Sequence, residues 1–214
     1  MTDTIDLADL DRALADAAPR LDPTGQQVAV ATYRTLARGR PVSVGHIAAT
    51  AGNDEATVRH LLDGWSAVFR NDAGDVIGFW GLALAEMPHR LRTGDRDLYA
   101  WCAWDPLFLA RIIGSMTVAT DESETGETIT YRLGGDGAIS ELSHPDSVLS
   151  FLRPDREWDA QVMATFCHYV RHFTGPETAQ RWADRHEGAF VLDLEAGVEL
   201  ARRHIERTFG EALR

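Results

Sequence analysis

The feature that most constrains the fold of this chain is a change in the spacing of its apolar residues near residue 80. Before that point apolar residues recur every three or four positions, which is typical of amphipathic helices. After it, short apolar runs rich in β-branched and aromatic residues alternate with Gly, Asp and Pro turns, which is typical of strands. The sequence therefore predicts an α+β protein with two parts: a winged-helix-like helical module over residues 1–80, and a mixed-sheet module with flanking helices over residues 81–214.

The N-terminal module is predicted to consist of short helices followed by a hairpin. Helical spacing indicates helices over residues 6–17 and 24–36, the second capped by its first residue, a threonine. Ser43, and one residue of the Asn-Asp pair at 53–54, can cap two further helices with a glycine turn between them. Residues 67–80 are predicted to form two strands around an Asn-Asp-Ala-Gly turn. Three short helices and such a hairpin resemble a winged helix.

The C-terminal module is predicted to contain six strands and two helical stretches. The helical stretches are "PLFLARIIG" after Asp105 and a last stretch from Pro176 to Phe209, broken near Gly188. The predicted strands are "LYAWCA" (98–103), "SMTVAT" (115–120), "ETITYRL" (127–133), "AISEL" (138–142), "SVLSFL" (147–152) and "TFCHYVRHF" (165–173).

Charge and composition exclude several classes of protein. The net charge of −12 disfavours a dedicated nucleic-acid binder, because it repels phosphate backbones. No apolar run approaches the length of a membrane span, and the first residues lack the basic and apolar regions of a secretory signal. We therefore expect a cytoplasmic protein without a membrane segment, in which two cysteines stay reduced as thiols.

One of the two cysteines lies in the stretch "YAWCAWDPLF", between Trp101 and Trp104. Pro106 fits the first position of a helix, which makes Asp105 the predicted N-cap and puts Cys102 one turn before it. The positive end of a helix can lower the pKa of a nearby thiol below its ordinary value of about 8.5. The same pattern also fits a plain core cysteine and an aspartate that only caps.

The second cysteine, Cys167, precedes two histidines. His168 and His172 are spaced as zinc ligands on a helix would be, but the stretch is predicted to be a strand, which favours core or solvent-facing roles for both. The "GGDG" stretch at 134–137 is predicted to be a hairpin turn rather than a phosphate-binding loop.

Several stretches together resemble one family, the organomercurial (alkylmercury) lyases. "DRDLYAWCAWDPLFLARIIG" (95–114) and "FCHYVRHFTGPETAQRWADRHEG" (166–188) look like its two signature stretches. "ARGRPVSVGHIAATAG" (37–52) and "DAGDVIGFWGLAL" (72–84) resemble its N-terminal winged-helix module. The resemblance runs from about residue 24 to 205 with similar spacings.

This resemblance implies that a cysteine pair and an aspartate break a carbon–mercury bond, and these fall on Cys102, Cys167 and Asp105. The chemistry fits the residues, because mercury is soft and two thiolates hold it better than oxygen ligands do. Asp105 is then expected to take a thiol proton and deliver it to the departing carbon, which leaves Hg(II) on both sulfurs. No organic cofactor is expected. The substrate is an organomercurial, and low-molecular-weight thiols or a mercuric reductase are the expected acceptors of Hg(II).

The organic group of the substrate needs an apolar pocket that excludes water. The aromatic residues around the two cysteines are candidates for its walls: Tyr99, Trp101, Trp104, Phe108 and Phe166.

The chain departs from the family's pattern at Glu122, where the family commonly has a third cysteine that is regarded as structural. Local packing, rather than catalysis, is expected to differ there. Two other functions stay open: a winged-helix regulator or metal sensor that reads DNA with the helix from Val58 to Trp65, and a relative that binds mercury or another metal without cleaving a bond. The regulator is disfavoured because that helix carries both signs of charge.

Overall fold

A computed structural model describes residues 6–213. Residues 1–5, the start of the predicted N-terminal module, and residue 214 lie outside the described part. The helices are α1 (Leu7–Ala17), α2 (Pro23–Leu36), α3 (Val44–Ala51), α4 (Glu55–Gly64), α5 (Asp105–Ile113), α6 (Val162–Thr165), α7 (Pro176–Ala183) and α8 (Leu194–Phe209). The strands are β1 (Val68–Arg70), β2 (Val76–Phe79), β3 (Leu82–Ala83), β4 (His89–Thr93), β5 (Arg96–Ala100), β6 (Met116–Asp121), β7 (Thr128–Leu133), β8 (Ile139–Ser140), β9 (Val148–Leu152), β10 (His172–Phe173) and β11 (Ala189–Asp193).

Two of the N-cap residues predicted for the N-terminal helices are observed in the structure. Ser43 accepts a hydrogen bond from the His46 N–H at the start of α3, and Asp54 accepts one from the Thr57 N–H at the start of α4. The cap predicted for α2 is wrong by two positions. Asp22, rather than the threonine, caps this helix, because a proline follows it at the first helical position, where its missing N–H costs nothing.

The predicted hairpin is present, and it continues into the main sheet. Strands β1 and β2 pair antiparallel, and β2 pairs in turn with β3, which lies beyond residue 80. Hydrogen bonds therefore cross the predicted module boundary. The division into residues 1–80 and 81–214, and the winged-helix character of the first part, stay predictions.

The α+β class is confirmed, but the sheets are not mixed. The main sheet has the order β1-β2-β3-β5-β4-β6-β7-β8, and a smaller one has the order β10-β9-β11. Every strand pair in the described part is antiparallel. Short hairpin connections between consecutive strands permit this arrangement, whereas parallel pairing needs long crossovers.

Three predictions for the C-terminal module are wrong. The strand predicted over 98–103 ends at Ala100, so Cys102 lies outside it. The stretch 165–173 is not one strand, because it contains the end of α6, a 3-10 turn over Cys167–Tyr169 and the two-residue strand β10. The last helical stretch is divided by β11, which follows the break near Gly188 and pairs with β9. Short buried apolar runs fit strand and helix equally well, and here tertiary contacts decide between them.

Helix α5 packs against α2 and α8, so the connection that precedes it lies deep in the core. Trp104 lies in this connection, and its indole N–H donates to the Gly197 carbonyl of α8 at 3.0 Å. The described residues contain no helix that is both long and apolar enough to cross a membrane.

Candidate active site

Cys102 lies in the short connection between β5 and α5, which is fastened by two backbone hydrogen bonds. The Trp101 N–H donates to the Gly81 carbonyl at 3.1 Å, and the Ala103 N–H donates to the Val170 carbonyl at 3.1 Å. The second bond joins the segment of one cysteine directly to the segment of the other.

Cys167 begins the 3-10 turn after α6, and β9 holds this turn in place. The Ser150 hydroxyl donates to the Tyr169 carbonyl at 2.7 Å and accepts from the Arg171 N–H at 3.1 Å. The Ser150 N–H also donates to the Arg171 carbonyl at 2.9 Å. Because a buried strand anchors the end of this turn through three hydrogen bonds, the sheet helps to fix the position of Cys167.

The three side chains predicted to form the site meet in space. One ligand atom each from Cys102, Asp105 and Cys167 lies within 4.8 Å of the other two. All three residues are buried, with 0%, 5% and 7% of their surface exposed respectively. Two sulfurs at this separation can share one thiophilic ion, with the carboxylate beside them.

Asp105 does not cap α5, and this prediction is wrong. The N-cap position belongs to Trp104, and no side chain caps the helix. The Asp105 Oδ2 instead accepts from the Cys102 N–H at 2.7 Å. A buried N–H needs an acceptor, and satisfying the one at Cys102 turns the carboxylate back toward the two thiols.

Both thiols hold their protons more tightly than ordinary cysteines. Burial raises the pKa of Cys102 well above its usual value, and the neighbouring Cys167 and Asp105 side chains raise it further. A hydrogen bond from Cys102 lowers the pKa of Cys167, but burial and the Asp105 carboxylate outweigh it, so that this pKa is also raised. The predicted lowering of the Cys102 pKa by the helix is therefore wrong, because desolvation exceeds the effect of the helix dipole.

Asp105 is poised to exchange protons near neutral pH. Burial raises the pKa of its carboxyl to about 7. Hydrogen bonds from Cys102 and from the Trp101 backbone lower this pKa, but by less than burial raises it. A group whose pKa lies near the working pH can both accept and give up a proton. The carboxyl can therefore act as base toward a neighbouring thiol and afterwards as acid.

Two residues that shape the site were missed by the sequence analysis. Gly81 adopts φ +94, and a Cβ there would lie 2.7 Å from Cγ of Asp105, so only glycine leaves room for the carboxyl. The Tyr33 hydroxyl donates to the Trp80 carbonyl at 2.8 Å next to this glycine. The glycine of "FWGLAL", between two short strands, was a detectable sign of close backbone approach.

A cavity of about 370 Å³ opens onto the site. Asp105 and Cys167 line it, whereas Cys102 does not. Four of the five aromatic residues predicted for the pocket line it, but Tyr99 does not, so that part of the prediction is wrong. The aromatic side chains around the cavity are Tyr33, Trp65, Trp80, Trp101, Trp104, Phe108, Trp158, Phe166, His204 and Phe209.

His168, His172 and Glu122 lie outside the cluster formed by the two cysteines and Asp105. His172 is buried, with Nε2 at 3.2 Å from the Ser147 Oγ, and His168 lies in the 3-10 turn, so the two do not share one helix or strand. Glu122 is buried as well, and its Oε2 accepts from the Thr174 N–H at 2.9 Å. This carboxylate links the turn after β6 to the segment that follows β10.

Together the fold and the geometry define a class of protein: an α+β protein with two buried thiols and a carboxyl group beneath an aromatic-lined cavity. Comparison with known proteins gives this class a family. The alkylmercury lyase (MerB) family model matches residues 82–206. The alkylmercury lyases of Staphylococcus epidermidis and Bacillus cereus are each 33% identical to the chain, the first over 84% of this chain and 81% of its own length, the second over 78% and 75%.

The chain therefore belongs to the alkylmercury lyase family, and the resemblance seen in the sequence is confirmed. The alkylmercury lyase of Pseudomonas putida is 31% identical over 78% of this chain and 77% of its own length. A crystal structure of the mercury-bound form of MerB2 matches 97% of this chain and 100% of that chain with a TM-score of 0.75. At 17% identity this match shows the shared fold.

Proposed function

We propose that this protein cleaves the carbon–mercury bond of organomercurials by protonolysis, with Cys102 and Cys167 as the mercury ligands and Asp105 as the proton carrier. The observation that carries the proposal is the meeting of these three buried side chains, two of which, Asp105 and Cys167, line an aromatic-walled cavity. The aromatic walls suit an apolar organic group, and mercury prefers sulfur to the other donors available.

The exposure of the two thiols sets the order of binding. Cys167 lines the cavity and Cys102 is fully buried, so the substrate reaches Cys167 first. Its thiol proton passes to the Asp105 carboxylate as the sulfur–mercury bond forms and the original mercury-bound anion leaves. Asp105, which lines the cavity, releases this first proton to solvent. Cys102, whose sulfur lies within 4.8 Å of the same atoms, then adds as the second ligand and gives its own proton to the freed Asp105 carboxylate.

Cleavage follows when a proton reaches the carbon. The electron pair of the carbon–mercury bond goes to carbon, and the proton held on Asp105 completes the hydrocarbon. In total, two thiols and one organomercurial cation give one hydrocarbon, one Hg(II) bisthiolate and one released proton. The raised pKa of Asp105 favours this step, because a carboxyl with a pKa of about 7 is protonated often enough to act as an acid at neutral pH.

The direct test is the release of hydrocarbon. Purified protein with phenylmercury or methylmercury and excess thiol should yield benzene or methane, measured by gas chromatography of the headspace. Thiol without protein provides the background rate. If the protein binds mercury stoichiometrically but releases no hydrocarbon, the lyase function is rejected. That result would instead support a family relative that binds mercury without cleaving the carbon–mercury bond.

The roles of the two cysteines are tested by single substitutions. Cys102→Ser and Cys167→Ser should each nearly abolish turnover, because a hydroxyl is a poor ligand for a soft metal. Cys102→Ala and Cys167→Ala should behave in the same way, which separates loss of the ligand from the cost of burying a hydroxyl. Retained activity in either Cys167 variant would contradict a mechanism with two thiolates.

The acceptors of Hg(II), low-molecular-weight thiols or a mercuric reductase, belong to the same proposal, as does a cytoplasmic location in which both cysteines stay reduced. Against the DNA-binding alternative, Arg59 of α4 is ion-paired with Glu55 at 2.6 Å, and Arg70 with Asp63 at 2.8 Å. These pairs leave little free positive charge on the predicted recognition helix, and a salt-dependent DNA-binding assay tests the point.

A further inference from the structure

A second cavity, of about 210 Å³, adjoins the site from another direction. Cys167 and Trp101 line both cavities and so form the wall that the two share, whereas Asp105 lines only the first. The sulfur expected to carry mercury can therefore be approached from two separate spaces.

The second cavity differs from the first in its chemistry. Its walls include the charged side chain of Arg171 and the polar side chains of Thr120 and Ser123. Met87 and Met163 also line it and supply two thioethers, which are soft groups that mercury tolerates as neighbours. These side chains suit a small molecule that carries both a polar group and sulfur.

The Arg171 guanidinium is held in a fixed position at the second cavity. Its Nε donates to the His168 carbonyl at 3.1 Å, its Nη1 donates to the Ser123 Oγ at 3.1 Å, and its Cζ lies 4.4 Å from the centre of the Trp182 ring. These contacts orient the group without neutralising its charge.

The nearby carboxylates are paired with other arginines. Asp121, which lines the second cavity, is ion-paired with Arg90 at 3.1 Å, and Glu124 is ion-paired with Arg185 at 2.8 Å. Within residues 6–213 no ion pair joins Arg171 to a carboxylate. A half-buried, fixed and unpaired guanidinium favours a carboxylate ligand.

We propose that the second cavity is the entry site for a small carboxylate-bearing thiol that removes Hg(II) from Cys167 after cleavage. This inference rests on the proposed function, which leaves mercury on the two cysteine sulfurs. The carboxylate of the incoming thiol binds Arg171 and directs its sulfur to the mercury on Cys167.

The exchange involves no change in oxidation state. The incoming thiolate forms a new sulfur–mercury bond while the bond to Cys167 breaks, and Cys167 takes the proton that the incoming thiol gave up. A second thiol displaces Cys102 in the same way. Two free thiols thus become an Hg(II) bisthiolate, and both cysteines return to the thiol form.

The test loads the protein directly with one equivalent of Hg(II), so that it does not depend on cleavage. Loss of mercury is followed by rapid-mixing tryptophan fluorescence, because Trp101 and Trp104 lie beside the site and bound mercury quenches them. Mercaptoacetate is the anionic thiol and 2-mercaptoethanol the uncharged one. The measured quantity is the ratio of the two rate constants, since comparing this ratio between variants cancels the intrinsic reactivity of each thiol.

Arg171→Gln should lower the preference for mercaptoacetate by about 3- to 10-fold, which is the effect of one unit charge a few ångströms away in a partly solvated site. The preference in the unaltered protein should also weaken with salt. Arg171→Lys keeps the positive charge and should retain most of the preference for mercaptoacetate. Its result shows whether this segment tolerates substitution of Arg171. Arg132→Gln, which removes an exposed charge paired with Glu141, should leave the ratio unchanged.

Arg20→Gln tests the competing route, because Arg20 lines the first cavity. A fall in the ratio for Arg20→Gln but not for Arg171→Gln would overturn the proposal and place thiol entry in the first cavity. An unchanged ratio in Arg171→Gln would also overturn it. Absence of hydrocarbon release from phenylmercury is a separate result, which would reject the lyase function.

Discussion

Replacing Asp105 with asparagine should remove the loss of stability that the ionised carboxyl causes at neutral pH and, at the same time, remove the activity. Burial raises the pKa of this carboxyl from 3.8 to about 7, so the folded state binds the proton more tightly than the unfolded state does. The contribution of Asp105 to stability therefore falls as the pH rises from about 4 to about 7 and is constant beyond that. At ~1.4 kcal/mol for each pH unit between the two pKa values, ionising Asp105 lowers the free energy of unfolding by about 4 kcal/mol.

Asparagine keeps an oxygen that can accept from the Cys102 N–H but has no charge to bury. The stability of Asp105→Asn relative to the unaltered protein should therefore grow by about 4 kcal/mol between about pH 4 and about pH 8. For a chain of this length that difference equals roughly 10 °C in melting temperature. Comparing the two pH values cancels the pH-independent cost of burying the amide group.

The assay combines thermal or urea unfolding at both pH values with single-turnover release of hydrocarbon. Asp105→Asn should still bind mercury through both thiols and lose cleavage by about 10²- to 10⁴-fold. Asp95→Asn, which removes a carboxylate that is 94% exposed, is the matched control and should change neither quantity. A stability difference independent of pH would refute the assignment of a raised pKa. A normal single-turnover rate would show that another group, such as the second thiol, carries the proton.

Three further outcomes are expected. Single-turnover cleavage by the free enzyme should rise with pH up to about 7 and then level off, because Asp105 must be ionised to accept a thiol proton; a flat profile would argue against that role. Gly81→Ala should reduce cleavage at least about tenfold while mercury still binds, because the new Cβ occupies the space of the Asp105 carboxyl and the φ of +94 disfavours alanine. Glu122→Ala should lower the free energy of unfolding by about 1–3 kcal/mol, since it leaves the Thr174 N–H unpaired, whereas Glu122→Gln keeps the acceptor; hydrocarbon release should change little in either variant.

Local sequence patterns were sufficient for much of the fold. The caps at Ser43 and Asp54, the hairpin of β1 and β2, and helix α5 follow from side chains close to them in sequence. The stretch 165–173 could not be assigned in this way, because its conformation depends on hydrogen bonds to Ser150 of β9. Antiparallel pairing throughout the main sheet is likewise a property of distant contacts rather than of any single stretch.

Motif resemblance was sufficient to choose Cys102, Asp105 and Cys167, but not to describe their chemistry. The pattern around Pro106 suggested a capping aspartate and a thiol of low pKa, and both suggestions fail for the same reason: the connection is buried. Burial leaves the Cys102 N–H in need of an acceptor, draws the Asp105 carboxyl toward it, and raises the pKa of that carboxyl to about 7. It also raises the pKa of both thiols, so a nearby base speeds the loss of their protons as mercury binds. Burial thus makes a base useful to the thiols and brings the carboxyl of Asp105 to a pKa at which it can serve as that base and then as the acid that the carbon requires.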